Sequence, residues 1–133
     1  MPRHLPYDLD GFGPPAPALT VNVYFNRNNV SEIALIDTGS DITTLTNRVV
    51  RALGLDPIGE IRVTGATGPS ELKPLYCANL DFRGKTYPNH ALTLLNASYI
   101  LIGRDILNEW IITLDGPKLT FRLDLPGRRK RHR

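Results

Sequence analysis

The chain is short of the residues that build stapled or metal-held scaffolds. Its one cysteine, Cys77, excludes an intrachain disulfide framework and cannot form a zinc site alone. Three histidines, His4, His90 and His132, are scattered, so no metal and no organic cofactor is expected. No apolar run approaches the roughly 20 residues that span a bilayer, and no membrane contact is expected. The opening Met1-Pro2-Arg3-His4-Leu5-Pro6 lacks the apolar centre of a secretory signal, and the expectation is a soluble, cytoplasmic protein. Excess charge is also absent from most of the sequence. The net charge is +3, but residues 128–133 carry five of the sixteen Lys and Arg. Without them eleven basic residues face thirteen acidic ones, a net of −2. The tail could meet nucleic acid by counterion release, but a solvated end is the plainer reading.

With 133 residues, 41% of them hydrophobic, there is enough chain for one core and too little for two domains. Residues 2–17 hold five prolines and two glycines, which reads as a flexible arm over 1–18. The folded domain is assigned to 19–125 and the basic tail to 126–133. Leu19, Val21, Val23 and Phe25 alternate with polar neighbours, the period of a half-buried strand. Asn26–Asn29 turns the chain into a second strand that ends at Ile36. Thr46 and Gly54 bracket a short helix as N-cap and C-terminal stop. Strands are expected at 61–64, 72–75, 75–82, 86–95 and 100–102, then a helix over 104–110 with Ile106, Leu107 and Trp110 on one face. Asp115-Gly116-Pro117 turns a strand at 111–114 into one at 118–123. This is a mostly-β, closed-barrel-like domain with two short helices. Cys77 is read as a small buried filler, His90 as a surface or turn residue, and Trp110 as a core anchor.

The stretch that demands an explanation is Leu35-Ile36-Asp37-Thr38-Gly39-Ser40-Asp41. A carboxylate directly after an apolar strand is costly unless it is hydrogen-bonded, paired or used. The Thr38 hydroxyl can brace backbone, and Gly39 permits a tight turn with its amide near the acid. Some 65 residues later Ile100-Leu101-Ile102-Gly103-Arg104-Asp105-Ile106-Leu107 repeats an apolar strand ending in glycine. In this order and at this distance, the two segments resemble the retropepsin-like aspartic proteases, over roughly residues 19–123. The resemblance implies Asp37 as the catalytic acid, with Thr38 gripping the partner loop and Gly39 completing the triplet. Ser40 would donate to the outer oxygen of Asp37 and favour its ionised form, and an acidic activity optimum is expected. Asp41 and Arg104 would form a salt bridge beneath the site, with Gly103 threading under the loop. Gly65, Ala66, Thr67 and Gly68 stand where the family has its substrate-binding flap. Asp105 replaces the usual Asn of the helix motif.

Only one Asp-Thr-Gly is present, because Asp115-Gly116 lacks the hydroxyl and reads as a plain turn. In the aspartic mechanism the resemblance implies, one carboxylate acts as base and another as acid. The second must therefore come from another copy, and a twofold axis would set the two Asp37 residues face to face. The expected protein is a homodimeric aspartic endopeptidase acting on polypeptides. Its alternative is a retropepsin-like module that binds peptides or partners without cutting them, since a groove and hairpin can also hold an extended chain.

Overall fold

The computed structural model describes residues 3–64 and 68–127. The rest, including Gly65–Thr67 of the expected flap and most of the basic tail, lies outside the described residues. Ten strands and two short helices follow in order: β1 (Leu5–Pro6), β2 (Ala18–Phe25), β3 (Asn28–Ile36), β4 (Thr44–Leu45), α1 (Asn47–Leu53), β5 (Gly59–Thr64), β6 (Ser70–Phe82), β7 (Lys85–Leu94), β8 (Ile100–Ile102), α2 (Arg104–Leu107), β9 (Ile111–Asp115) and β10 (Thr120–Asp124). They make a seven-stranded sheet, ordered β4-β7-β6-β2-β3-β8 with β5 paired to β6, and a three-stranded sheet, β1-β10-β9.

Alternation explains the first hairpin. Val21 and Val23 point inward from β2 and are buried, while Thr20 faces out. On β3 the inward set is Val30, Glu32, Ala34 and Ile36. Glu32 on that face is satisfied by the Arg48 Nε at 3.0 Å and the Thr46 hydroxyl at 3.2 Å. The same Thr46 oxygen accepts from Val49 N–H at 3.1 Å, capping α1, and Gly54 closes the helix at φ 64°. Thr46 thus joins helix start and sheet through one hydroxyl.

The short β8 is the pivot of the core. Ile100, Ile102 and, from α2, Ile106 are wholly buried, each contributing about 1.5–3 kcal/mol by leaving water. Phe82 meets Trp110 edge to face at 5.1 Å, which makes Trp110 the anchor expected of it.

Several features differ from the sequence reading, among them the second helix, expected over 104–110 but ending at Leu107. The two strands expected over 72–82 are one continuous β6 of 13 residues, because Pro74 sits opposite Glu60 at the outer hairpin, where the paired ladder is not interrupted. The segment read as a free arm is tied down: Leu5 and Pro6 pair with Phe121 and Thr120, and the Tyr7 ring lies 6.1 Å from that of Phe121. Leu119, expected on a strand, lies in the turn at φ 53° and is partly exposed. Cys77 is a free thiol that is only half-buried, on the outward parity of β6.

Removing the Thr46 hydroxyl uncaps α1 and strips a donor from Glu32. Thr46→Ala is expected to cost about 1–2 kcal/mol, and Thr46→Ser much less. Urea unfolding of the two variants checks this.

Candidate active site

Asp37 stands at the end of β3 because β3 and β8 pair in parallel, Ala34 with Ile100, Leu35 with Leu101 and Ile36 with Ile102. Its own amide continues the ladder, donating to the Ile102 carbonyl at 3.0 Å. Beyond that point the chain turns, and Ser40 N–H donates back to the Asp37 carbonyl at 3.2 Å. The half-buried carboxylate is held at both oxygens. Gly39 N–H donates to Oδ1 at 3.0 Å, and the Ser40 hydroxyl donates to Oδ2 at 2.6 Å. A Cβ on Gly39 would lie 3.2 Å from Oδ1, so the glycine keeps that approach open.

Under this loop runs the segment entering α2. A Cβ on Gly103 would fall 2.8 Å from the Ile42 carbonyl carbon and 2.9 Å from the Ser40 oxygen, closer than side chains approach. Only glycine lets the two backbones touch here. Arg104 then fastens the loop twice. Its amide donates to the Ser40 carbonyl at 2.8 Å and its Nη1 to the Thr38 carbonyl at 2.7 Å.

The expected Asp41–Arg104 salt bridge is not among the ion pairs of the described residues. The guanidinium reaches the loop backbone instead. Asp41 is exposed, where an ion pair would add little, while the Thr38 carbonyl gains a charged donor. Thr38 is exposed on the loop. Gly39 and Ser40 thus bond Asp37 directly, Gly103 and Arg104 support its loop from below, and Asp41 follows on the loop at the edge of a cavity. Of the four flap positions only Gly68 is described. The β5–β6 hairpin leads toward it, its last pair being Thr64 with Ser70. Between hairpin and loop lies a cavity of about 260 Å³, bordered by Ser40, Asp41, Ile42, Val63, Thr64 and Lys73.

Three supporting residues were not singled out from sequence as part of a site. Thr43 is fully buried, and its hydroxyl accepts from Gly103 N–H at 3.0 Å while donating to Asp105 Oδ1 at 2.8 Å. Asp105 Oδ2 also accepts from Thr43 N–H at 3.0 Å and meets His90 Nε2 at 2.8 Å. The acid in place of an amide at position 105 was the available signal. His90 is not a turn residue; it lies within β7 with its side chain mostly covered. Burial alone would raise the Asp105 carboxyl. The His90 ring and the Thr43 amide and hydroxyl outweigh it and hold the group below the usual aspartate range. Nearby, burial and the Glu109 carboxylate push the Tyr87 phenol up to about 12, against the Trp110 N–H that it accepts at 2.9 Å. No cluster of metal-ligating side chains occurs among the described residues, nor any helix long and apolar enough to cross a membrane.

An aspartate presented this way, in a mostly-β domain of this topology, defines a class: the aspartic-protease folds of the retropepsin type. The family model described as gag-polyprotein putative aspartyl protease matches residues 21–109, and the chain belongs to that family. Its structure is similar to the crystal structure of a retropepsin-like aspartic protease from Rickettsia conorii, with a TM-score of 0.66 and 19% identity, covering 91% of this chain and 89% of that one. It is also similar to the solution structure of simian foamy virus (mac) protease, with a TM-score of 0.54 and 15% identity over 69% of this chain and 92% of the other. For EIAV protease complexed with the inhibitor HBY-793 the values are 0.50 and 21%, over 78% and 92%. At these identities the likeness is one of fold. No curated protein matches the sequence.

The depressed Asp105 carboxyl gives a pH signature. A lowered folded-state pKa adds stability that is present above the unfolded value of about 4 and is lost as pH falls through the folded one. The melting temperature of the wild type is expected to fall steeply from about pH 4 downward. Asp105→Asn should start lower at pH 7 and be flatter in that acid window. Thermal melts from pH 7 to pH 2 measure both.

Proposed function

We propose that the chain is an aspartic endopeptidase working as a homodimer, with Asp37 of each copy acting on one water molecule. The observation that supports this most is the way the Asp37 carboxylate is held. A plain Asx turn needs one oxygen bonded to a backbone N–H. Here a second donor, the Ser40 hydroxyl, aims the other oxygen as well, and the group stays half-buried on a loop whose next residues, Gly39, Ser40 and Asp41, line a cavity. A fixed, accessible carboxylate is what general acid–base chemistry requires.

One acid cannot do the whole reaction. In the pair, the ionised Asp37 takes a proton from water as its oxygen attacks the scissile carbonyl carbon. The protonated Asp37 gives its proton to the carbonyl oxygen. The tetrahedral species then collapses, the C–N bond breaks, and a proton passes to the leaving nitrogen. The segment that links β5 to β6 in sequence, with Gly65, Ala66, Thr67 and Gly68, serves as the flap that covers the extended substrate.

The smaller sheet offers a route to the dimer. Its order is β1-β10-β9, so the outer edge of β9 has no strand partner among the described residues. Ile111-Ile112-Thr113-Leu114 carries neither the lysine nor the proline that usually blunts an open edge. Ile111 is 54% and Leu114 57% exposed. A second β9, antiparallel across a twofold axis, pairs these edges and covers both side chains.

Two measurements test the proposal. Asp37→Asn is expected to reduce cleavage of a peptide library by about 10³-fold or more, at acidic and neutral pH, with the fold retained. Equal cleavage by wild type and variant would reject the enzyme; peptide binding without cleavage would point to a peptide-holding module. Separately, Leu114→Lys should shift sedimentation toward monomer and lose activity over the same concentration range.

A further inference from the structure

The network around Asp105 extends beyond the elements that hold Asp37, and its outermost member is placed there by a defect in the sheet. Between β6 and β7 the register runs Ala78 with His90 but Leu80 with Tyr87, so Asn79 faces both Pro88 and Asn89. This is a β-bulge, with Asn89 at φ 48° and its amide bonded to Asn79 Oδ1 at 3.0 Å. In an unbroken strand Tyr87 and His90 would face opposite ways. The extra residue sets both against the inward residues Leu80 and Ala78, with ring centroids 5.7 Å apart.

From that position His90 Nε2 reaches Asp105 Oδ2 at 2.8 Å. Either the Nε2–H tautomer or the doubly protonated ring can donate there. Each carboxylate oxygen also faces a backbone N–H, Thr43 at Oδ2 and Ile106 at Oδ1. An amide at position 105 would turn its NH₂ against one of them in either orientation. The Asp105 carboxylate accepts from all of these donors at once, and His90 is its side-chain counterpart from β7. The other titratable or charged groups near the ring are Tyr87, and beyond it Glu109 paired with Lys85 at 3.0 Å. From Asp105 the chain of bonds continues through the Thr43 hydroxyl to Gly103 N–H, directly beneath Ser40 and the Asp37 loop.

We infer that His90 and Asp105 are positioning residues, which act through Thr43 and Gly103 to set the height of the loop that presents Asp37. The inference rests on the peptidase reading above. A carboxylate that must meet its symmetry mate within a few ångströms is sensitive to small displacements of its support.

The test uses His90→Leu and His90→Gln in the full chain, the glutamine amide restoring a donor of similar reach. His90→Leu is expected to lower kcat about tenfold or more with KM within about twofold, and His90→Gln to return kcat to within about threefold. Amide exchange at Gly103 and Thr43 should quicken by about tenfold in His90→Leu, with protection in β2 and β3 unchanged. Unaltered kcat in a folded His90→Leu dimer, or a loss that His90→Gln fails to recover, overturns the inference. So does unaltered exchange at Gly103, whether or not the wild type cuts peptides. Should the wild type cut none, faster exchange at Gly103 upholds the linkage while the peptidase reading fails. If His90→Leu does not fold, His90→Asn, whose shorter amide falls short of Asp105, is read in its place.

Discussion

The close passage of Gly103 beneath the loop of residues 37–42 is the constraint on which the arrangement of the site depends. With no side chain at 103, the Ser40 carbonyl and the Ile42 backbone rest directly on the segment entering α2. That contact lets the Arg104 amide reach Ser40, its guanidinium reach Thr38, and the Gly103 amide reach Thr43. Two backbone carbonyls of the acidic loop, Thr38 and Ser40, and the Thr43 hydroxyl just after it are thereby bonded from below by two consecutive residues. A single added methyl would collide with the Ile42 and Ser40 backbone and force the two layers to shift.

Two aspartates lie on either side of this contact, and their surroundings separate their roles. Asp37 is half-buried and receives only one backbone and one hydroxyl donor. Asp105 receives donors from Thr43 twice, from Ile106 and from His90, which use up its oxygens. A carboxylate saturated by fixed donors is a structural anion, and one left partly free is available for proton transfer. The distinction comes from counting donors, not from residue type.

Much of the site could be read from local pattern. The apolar alternation into Ile36 marks the strand, and Asp-Thr-Gly marks the turn that follows. Thr46 and Gly54 cap α1 at the positions their chemistry favours, because capping is decided within one helical turn. The partner of Arg104 was not legible, since Asp41 and the Thr38 carbonyl lie at similar sequence distance and only the path under the loop selects between them. His90 was misread for a different reason. One inserted residue reverses the facing of everything beyond it, and nothing in Tyr87-Pro88-Asn89-His90 announces which neighbour is unpaired. The pairing of Leu5 with Phe121 joins residues more than a hundred apart, out of reach of any periodicity argument.

The sequence by itself determined the strand that delivers Asp37, the glycines that permit tight passage and, on the peptidase reading, the requirement for a second acid. These are properties of neighbouring residues and of the chemistry a carboxylate can perform alone. The tertiary structure decided which donors each acid receives, that Asp105 is held by His90, and which strand edge is left open. Those depend on segments far apart in the chain meeting at hydrogen-bond distance, and register, bulges and close backbone contacts set that distance only once the whole core is packed.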